Sequence, residues 1–349
     1  MARIAIVSAR IGAGHDGAAS ALADRLTGHD VEILDFLDLL PRSLGRRLCD
    51  LYHRQLEAAP RSWDWTLSAL DIPWVARLAV RAAGLACPRL KEALGSDTAL
   101  AVSTYPLATH ALAALRTRGV LTAPFAVYLT DPSVHRLCVN AAADLHIAPN
   151  ADAAVQAAGL GARSVAAAAP LVAPRFHPPS VIERSRARDA YGLPPTGQLA
   201  LVIAGSWGVG QVRETADDVA ASGVATPVVV CGRNDALREQ LRAAGHPHVF
   251  GWIDDMPRLM HAVDTVVQNA GGLTTSEALA SGLPVLTYRC LPGHGRANAT
   301  VLDRIGLVPW ILNRRDLSAA LSAARPGIAE TVLPAEDPVP LLEKLLETA

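Results

Sequence analysis

Along the chain, short apolar runs rich in β-branched residues alternate with longer stretches whose apolar residues recur every three or four positions. Arg3–Ser8 reads as a strand, and Asp16–Leu26 as a helix with Ala18, Leu22, Ala23 and Leu26 on one face. Val31–Leu34, Ala99–Ser103, Phe125–Leu129 and Leu145–Ile147 continue the strands. The series restarts with Leu199–Ala204, Val228–Cys231, Val249–Phe250, Thr265–Val267 and Val285–Thr287. Near-continuous apolar strands alternating with helices predict an α/β fold of two parallel sheets, each covered on both faces.

Between the two series lies a stretch rich in Pro and Arg, with Pro170, Pro174, Pro178 and Pro179 ahead of a short helical run over Ile182–Tyr191. The boundary is placed there, giving domains 1–176 and 177–349. Ala166–Ala169 is a low-complexity patch without a functional reading. After Pro338 the pattern predicts one amphipathic helix, 339–348, with Leu341, Leu342, Leu345 and Leu346 on a face. Phe36–Leu94 breaks the alternation. It is mostly helical in pattern and sets Trp63, Trp65 and Trp74 among Arg61, Arg77, Arg81, Arg89 and Lys91. Two readings stand: an interfacial surface for anionic lipid, or a helical insertion packed on its own core.

Composition narrows the classes. At 349 residues, half of them hydrophobic, the chain can bury two cores, and a net charge of −1 without a basic tail gives nucleic acid no footprint. Lys91 and Lys344 are the only lysines, and a GC-rich genome accounts for that bias. Cys49, Cys87, Cys138, Cys231 and Cys290 are scattered and odd in number, which argues against disulfides or a zinc site and for a reducing cytoplasm. The first strand begins at Arg3 with no secretory leader ahead of it, and no apolar run approaches the roughly 20 residues of a membrane span. The expectation is a cytoplasmic protein that meets lipid, if at all, from the surface.

Two glycine-bearing turns carry the candidate chemistry. Gln268–Pro284, QNAGGLTTSEALASGLP, takes a strand through a Gly pair into a helix with Glu277 read in its first turn. Bare N–H groups at a positive helix end suit a diphosphate, and a carboxylate one turn on suits a ribose diol. Thr274-x-x-Glu277 is also a capping box, which needs no ligand. Three further turns follow strands of the same half: Gly205–Gly210, Cys231–Asn234 and Gly251–Asp254. Ligands of open α/β sheets bind at the carboxyl ends of strands, so these loops converge on one crevice. The first strand ends in Gly12-Ala13-Gly14-His15. A dinucleotide fingerprint is the lesser reading there. His15 and Asp16 interpose polar side chains before Gly17, and no acidic residue is expected to close the second strand, Asp35 lying just beyond. His15 at a helix start is kept neutral by the positive end and can serve as a base, or it merely caps the helix.

Taken together, these motifs resemble the GT-B glycosyltransferases of family 28, in the branch of monogalactosyldiacylglycerol synthases and processive diacylglycerol glucosyltransferases. The matching residues are GAGH with Ala18–Leu22, STYPLATH (Ser103–His110), YLTD with His135 (Tyr128–Asp131) and PLVAPRF (Pro170–Phe176). GSWGVG, CGRN, GWIDDM, the Gln268–Pro284 stretch and LPGHGRAN (Leu291–Asn298) complete them. The peptidoglycan N-acetylglucosaminyltransferase is similar more distantly, through GGLTTSEALASGLP. The resemblance implies two Rossmann-like domains facing across a cleft, the first binding acceptor and the second a UDP-sugar, with the last helix crossing back to the first. It implies that backbone near Ile253 meets the base, Glu277 the ribose, and Gly272, Thr274 and Thr275 the diphosphate. Ser206 and Arg233 would line that pocket, and His294 and Asn298 would lie near the sugar. Gly14 would contact the donor, His15 would be the base, and Asp131 and His135 would face the acceptor. Relatives often carry an acidic residue after Pro-Gly-Gln, whereas Pro292-Gly293 is followed here by His294-Gly295, which leaves the sugar open.

The expected reaction is inverting transfer of a hexose from a UDP-sugar to an acceptor hydroxyl, the acceptor being diacylglycerol, another lipid or a soluble natural product. No D-x-D pattern follows a strand, so no metal and no cofactor beyond the donor are expected. A UDP-sugar epimerase on the same fold and a non-catalytic nucleotide-sugar binding module are the alternatives.

Overall fold

The computed structural model describes residues 1–10, 13–41, 44–58, 72–291, 293–325 and 332–347. They form two compact units, residues 1–173 with 333–349, and residues 174–332. The first unit holds strands β1 (Arg3–Ser8), β2 (Asp30–Asp35), β3 (Thr98–Ser103), β4 (Phe125–Tyr128), β5 (Leu145–Ala148) and β6 (Val165–Ala167). Its helices up to the boundary are α1 (Ala13–Arg25), α2 (Phe36–Leu39), α3 (Leu44–Ala58), α4 (Pro73–Ala83), α5 (Cys87–Leu94), α6 (Pro106–Thr117) and α7 (Ala151–Gly159). The second holds β7 (Leu199–Ile203), β8 (Thr226–Val230), β9 (His248–Phe250), β10 (Thr265–Gln268), β11 (Val285–Tyr288) and β12 (Trp310–Ile311). Its helices are α8 (Val181–Ala190), α9 (Val212–Ala221), α10 (Asp235–Ala243), α11 (Met256–Ala262), α12 (Gly272–Ala280), α13 (His294–Arg304) and α14 (Arg314–Ala323). The last helix, α15 (Val339–Glu347), returns to the first unit.

Both sheets are parallel, ordered β2-β1-β3-β4-β5-β6 and β12-β11-β10-β7-β8-β9. Each therefore has one point where the chain's progress across the sheet reverses: between β1 and β3, and between β7 and β10. Loops leaving the carboxyl ends of strands part there and leave a crevice.

The cores follow the two-residue alternation of strands. Ile4 and Ile6 of β1 pack with Ala18 and Leu22 of α1 and with Leu342 of α15. Ala5 and Val7 pack on the other face with Phe36, Leu90 and Leu112. Burial of Leu342 among those strands is why the last helix groups with the first unit rather than closing the second. The division at 173/174 precedes the expected 176/177 for a similar reason. Phe176 is buried, and Pro178 lies against Gly282, so the linker is already part of the second unit. There Ala200, Val202, Val229, Val267 and Leu286 pack with Val212 and Val219 of α9 and Leu317 and Leu321 of α14.

Most elements lie within a few residues of the pattern-based bounds. Two strands escaped it. β6 overlaps the alanine patch, where small side chains give no amphipathic signal, and β12 is only two residues long. β2 runs to Asp35, one residue further than expected, so an acidic residue does close it. That carboxylate caps α2 through Leu37 N and pairs with Arg10 Nε at 2.5 Å. The Phe36–Leu94 insertion is helical as read, but Trp63, Trp65 and Arg61 lie outside the described residues, as do Gly12 and Pro292.

Candidate functional site

At the switch point of the second unit, β10 ends in Gln268 and the chain turns through Ala270, whose φ of 77° is a left-handed conformation that costs a side-chain-bearing residue energy. The turn is held from all sides. Gln268 is buried and accepts from Gly271 N at 2.6 Å while donating to the hydroxyls of Thr275 and Thr287, each at 3.2 Å. Asn269 Nδ2 donates to Val209 O at 2.9 Å, and Asn298 Nδ2 to Ala270 O at 3.1 Å.

This turn delivers α12 with Gly271 as N-cap and no side chain capping it. The capping box read from Thr274 and Glu277 is not formed. The helix starts two residues earlier, Thr274 is already inside it, and Glu277 stands in the second turn rather than the first. Thr275 and Ser276 turn their hydroxyls back to Gly271 O and Gly272 O. The first N–H with an intrahelical acceptor is that of Thr275, so those of Gly272, Leu273 and Thr274 are left for another acceptor.

Glu277 is half-buried, and its carboxylate makes no hydrogen bond or ion pair among the described residues. Burial pushes it up to about 8, against the opposing pull of Arg175. A carboxylate desolvated without compensation is unstable when ionised, and hydroxyl donors from a ligand would relieve it.

Two neighbouring loops, those after β7 and β8, interlock beside the crevice. A side chain at Gly208 would meet Cys231 O at 2.4 Å, and one at Gly232 would meet Ser206 O at 2.3 Å. Both have positive φ, so only glycine lets these loops cross. Ser206 contributes its carbonyl, which accepts from Arg233 N at 2.9 Å. Ile253 is half-buried, and neither its N–H nor its C=O is paired among the described residues. His294 starts α13, with its Nε2 at 3.4 Å from Asn298 Nδ2. Asn298 is fully buried, and its Nδ2 holds the turn at Ala270.

At the switch point of the first unit, His15 sits in the first turn of α1 next to Gly14. His15 Nδ1 lies 2.7 Å from Thr104 O, across the gap between the loops after β1 and β3. A carbonyl only accepts, so Nδ1 carries the hydrogen, and in the neutral ring Nε2 carries the lone pair. The ring packs edge-on against Tyr105 at 5.3 Å. Thr130 Oγ1 stands 3.3 Å from His15 Nδ1 and donates to Asp131 Oδ2 at 3.3 Å. His15, Tyr105, Thr130 and Asp131 line one small pocket. His135 instead accepts from Leu137 N and caps the 3-10 turn Arg136–Cys138. Asp16, half-buried and raised by burial, accepts from Ser8 Oγ at 2.7 Å and ties α1 to the end of β1.

Gln268 and Thr104 were missed from sequence. Gln268 is a polar residue ending an apolar strand, a readable signal, whereas Thr104 acts through its backbone and leaves none. Among the described residues no three His, Cys, Asp or Glu side chains gather into a metal site.

Comparison with known proteins supplies the remaining context. No family model matches the chain. The processive diacylglycerol beta-glucosyltransferase of Bacillus subtilis is 32% identical over 132 residues, 36% of this chain and 34% of that protein. The chain thus matches about a third of the length of that relative. The enzyme of the same description from Bacillus cereus AH187 is 23% identical over 299 residues, 84% of this chain and 73% of its own. Among solved structures, HepE of Anabaena in complex with UDP superposes with a TM-score of 0.59 at 16% identity, covering 100% of this chain and 99% of that one. At such identity the likeness shows the fold alone: two Rossmann-like α/β units of the glycosyltransferase type called GT-B.

Proposed function

We propose that this chain transfers a hexose from a UDP-sugar to an acceptor hydroxyl with inversion at the anomeric carbon. The observation that carries the reading is Glu277, a desolvated carboxylate without a partner among the described residues, one turn beyond an uncapped helix start. Gly272, Leu273 and Thr274 N–H groups would hold the diphosphate, with Thr275 shaping the turn that presents them. The ribose hydroxyls would donate to Glu277, and the unpaired backbone of Ile253 would meet the base. His294 would lie toward the sugar. As UDP departs, its growing charge meets N–H dipoles already in place, which costs no reorganisation. In the first unit, His15 Nε2 takes the acceptor proton, and Asp131 faces the acceptor. No step calls for a metal or a further cofactor.

A lipid acceptor is favoured by the diacylglycerol enzymes among the relatives and by α4. On that helix Trp74 and Leu78 are exposed, Leu85 is exposed in the turn that follows, and Arg77 and Arg81 stand exposed with them. Apolar and basic groups together on one exposed surface suit an anionic bilayer, and no described helix is long and apolar enough to cross one. The protein would then work peripherally, at the cytoplasmic face.

The test is a screen of UDP-glucose, UDP-galactose and UDP-N-acetylglucosamine with diacylglycerol in anionic vesicles. The expected product is a glycolipid with the β-configuration from an α-donor. A new sugar nucleotide formed without acceptor would make the chain an epimerase, and neither product from any donor would leave only binding.

A further inference from the structure

Arg233 is the first exposed side chain after β8, and it lies among aromatic rings. Its guanidinium carbon stands 4.7 Å from the ring centroid of Trp252 and 5.7 Å from that of Trp207. The two indoles come from the loops after β9 and β7, so three loops meet at one cation. Its backbone is fixed by Arg233 N donating to Ser206 O at 2.9 Å and by the crossing at Gly208 and Gly232 that admits no side chain. Trp252 is fixed in turn, its Nε1 donating to Asp254 Oδ1 at 2.8 Å. Yet the guanidinium makes no hydrogen bond and no ion pair among the described residues. A group with five N–H donors has been given a place but no acceptor among the described residues.

We propose that Arg233 is a specificity-determining residue that reads the nucleobase, donating to a carbonyl oxygen on the edge of a uracil ring. The proposal rests on the donor-site reading above and deepens it. Ile253, the residue after Trp252, offers on the same loop an N–H and a C=O that have no partner among the described residues. A uracil edge alternates acceptor, donor and acceptor at O4, N3–H and O2. Ile253 can satisfy one carbonyl and the N3–H, and a donor-only group is then required for what remains. With Ile253 on O2 and the N3–H, Arg233 meets O4; cytosine replaces O4 by an amino group and N3–H by a lone pair, so it meets Arg233 donor against donor and the Ile253 carbonyl acceptor against acceptor. Cation–π contact with the indoles holds the planar guanidinium in place without engaging the N–H groups along its edge. Lysine would keep the charge but lose both the stack and the fork.

The experiment is titration calorimetry of UDP and CDP against the wild type, Arg233→Ala and Arg233→Lys, with melting curves to confirm that each variant is folded. The wild type is expected to prefer UDP over CDP. Arg233→Ala should weaken UDP about tenfold, the effect of one charge-assisted hydrogen bond, and CDP much less, so that the preference shrinks. Arg233→Lys should behave like Arg233→Ala. Equal weakening of UDP and CDP in Arg233→Ala, with affinity restored in Arg233→Lys, would assign Arg233 to the diphosphate as a point charge and overturn the proposal. Unchanged UDP affinity in both variants would overturn it as well. A wild type that binds neither nucleotide would instead fail the donor-site reading, an outcome distinct from either.

Discussion

The two helix starts, α1 and α12, both border the switch points of their sheets and are equipped in opposite ways. At α1 the chemistry lies in a side chain. His15 is pinned through Nδ1 to Thr104 O, with Thr130 and Asp131 close by, so one ring nitrogen is spent on orientation. At α12 it lies in the backbone. Gln268 braces the turn from within, Asn269 ties it to Val209 O and Asn298 bonds to it from outside, while the N–H groups of Gly272, Leu273 and Thr274 have no acceptor among the described residues. On the proposed reading, surrounding polar groups orient a base in the first case and leave an anion site open in the second. On that reading one motif, a glycine turn into a helix, serves proton transfer or charge binding according to what its neighbours satisfy.

The largest effect should come from the first of these. His15→Ala is expected to lower turnover by about 10²–10⁴-fold, the range for loss of a positioned general base, while UDP affinity stays within about twofold. His15→Gln keeps a donor for Thr104 O but has no basic nitrogen, and should be as slow. Steady-state rates with calorimetry separate the two quantities. A His15→Gln variant that turns over normally would make His15 a strut and erase the contrast.

The second region predicts the reverse pattern. Glu277→Ala removes the acceptor of two hydroxyls and should weaken UDP binding by about 10–100-fold, from about 1.5–3 kcal/mol for bonds to a charged group. Thymidine diphosphate, which lacks one ribose hydroxyl, should lose less on the same substitution. Equal losses for the two nucleotides would remove Glu277 from the ribose.

Much of this contrast could be read from the sequence, and what could not has a physical cause. Strands such as Arg3–Ser8 stood out because they are buried on both faces. Alanine-rich β6 did not, since its residues carry neither bulk nor alternation. Glycine turns marked both helix starts, but a spacing rule put the start of α12 at Thr274 and produced a capping box. The strained turn at Ala270 and the grip of Gln268 begin the helix earlier, and those contacts come from residues that the local pattern does not weigh. The desolvation of Glu277 and the carbonyl facing His15 are tertiary facts without a sequence mark.

Gln268 offers a smaller test of the same contrast. Gln268→Leu keeps the volume and removes the bond to Gly271 N and those to Thr275 and Thr287. Stability should fall by about 1–3 kcal/mol from the polar groups left unpaired, and UDP affinity by several-fold, as the turn relaxes and the helix start loses its aim. Turnover per bound donor should hardly change, because the base at α1 is untouched. Urea unfolding and calorimetry measure the two effects, and a variant with lowered turnover at saturating donor would argue against the separation of roles.

The finest distinction is the cost of keeping Glu277 without a partner. Its carboxyl is raised from 4.5 to about 8 by burial, so between those values the native state holds a proton that the unfolded chain has already lost. Where the native state binds more protons, stability falls as pH rises. Glu277 therefore works against folding increasingly from about pH 4.5 and in full above pH 8. Glu277→Gln removes that dependence. Its melting temperature should equal or exceed the wild type by a few degrees, with the gap widening over this interval and closing in acid. Binding should run the other way. Ribose hydroxyls favour the ionised carboxylate, so UDP affinity in the wild type should climb with pH and level off above about 8, with proton uptake by buffer seen as a buffer-dependent binding enthalpy. In Glu277→Gln both trends should vanish together. A stabilised variant that binds UDP as well as the wild type would mean that the desolvated carboxyl serves neither folding nor the nucleotide, and the second helix start would then be an anion site without a ribose clamp.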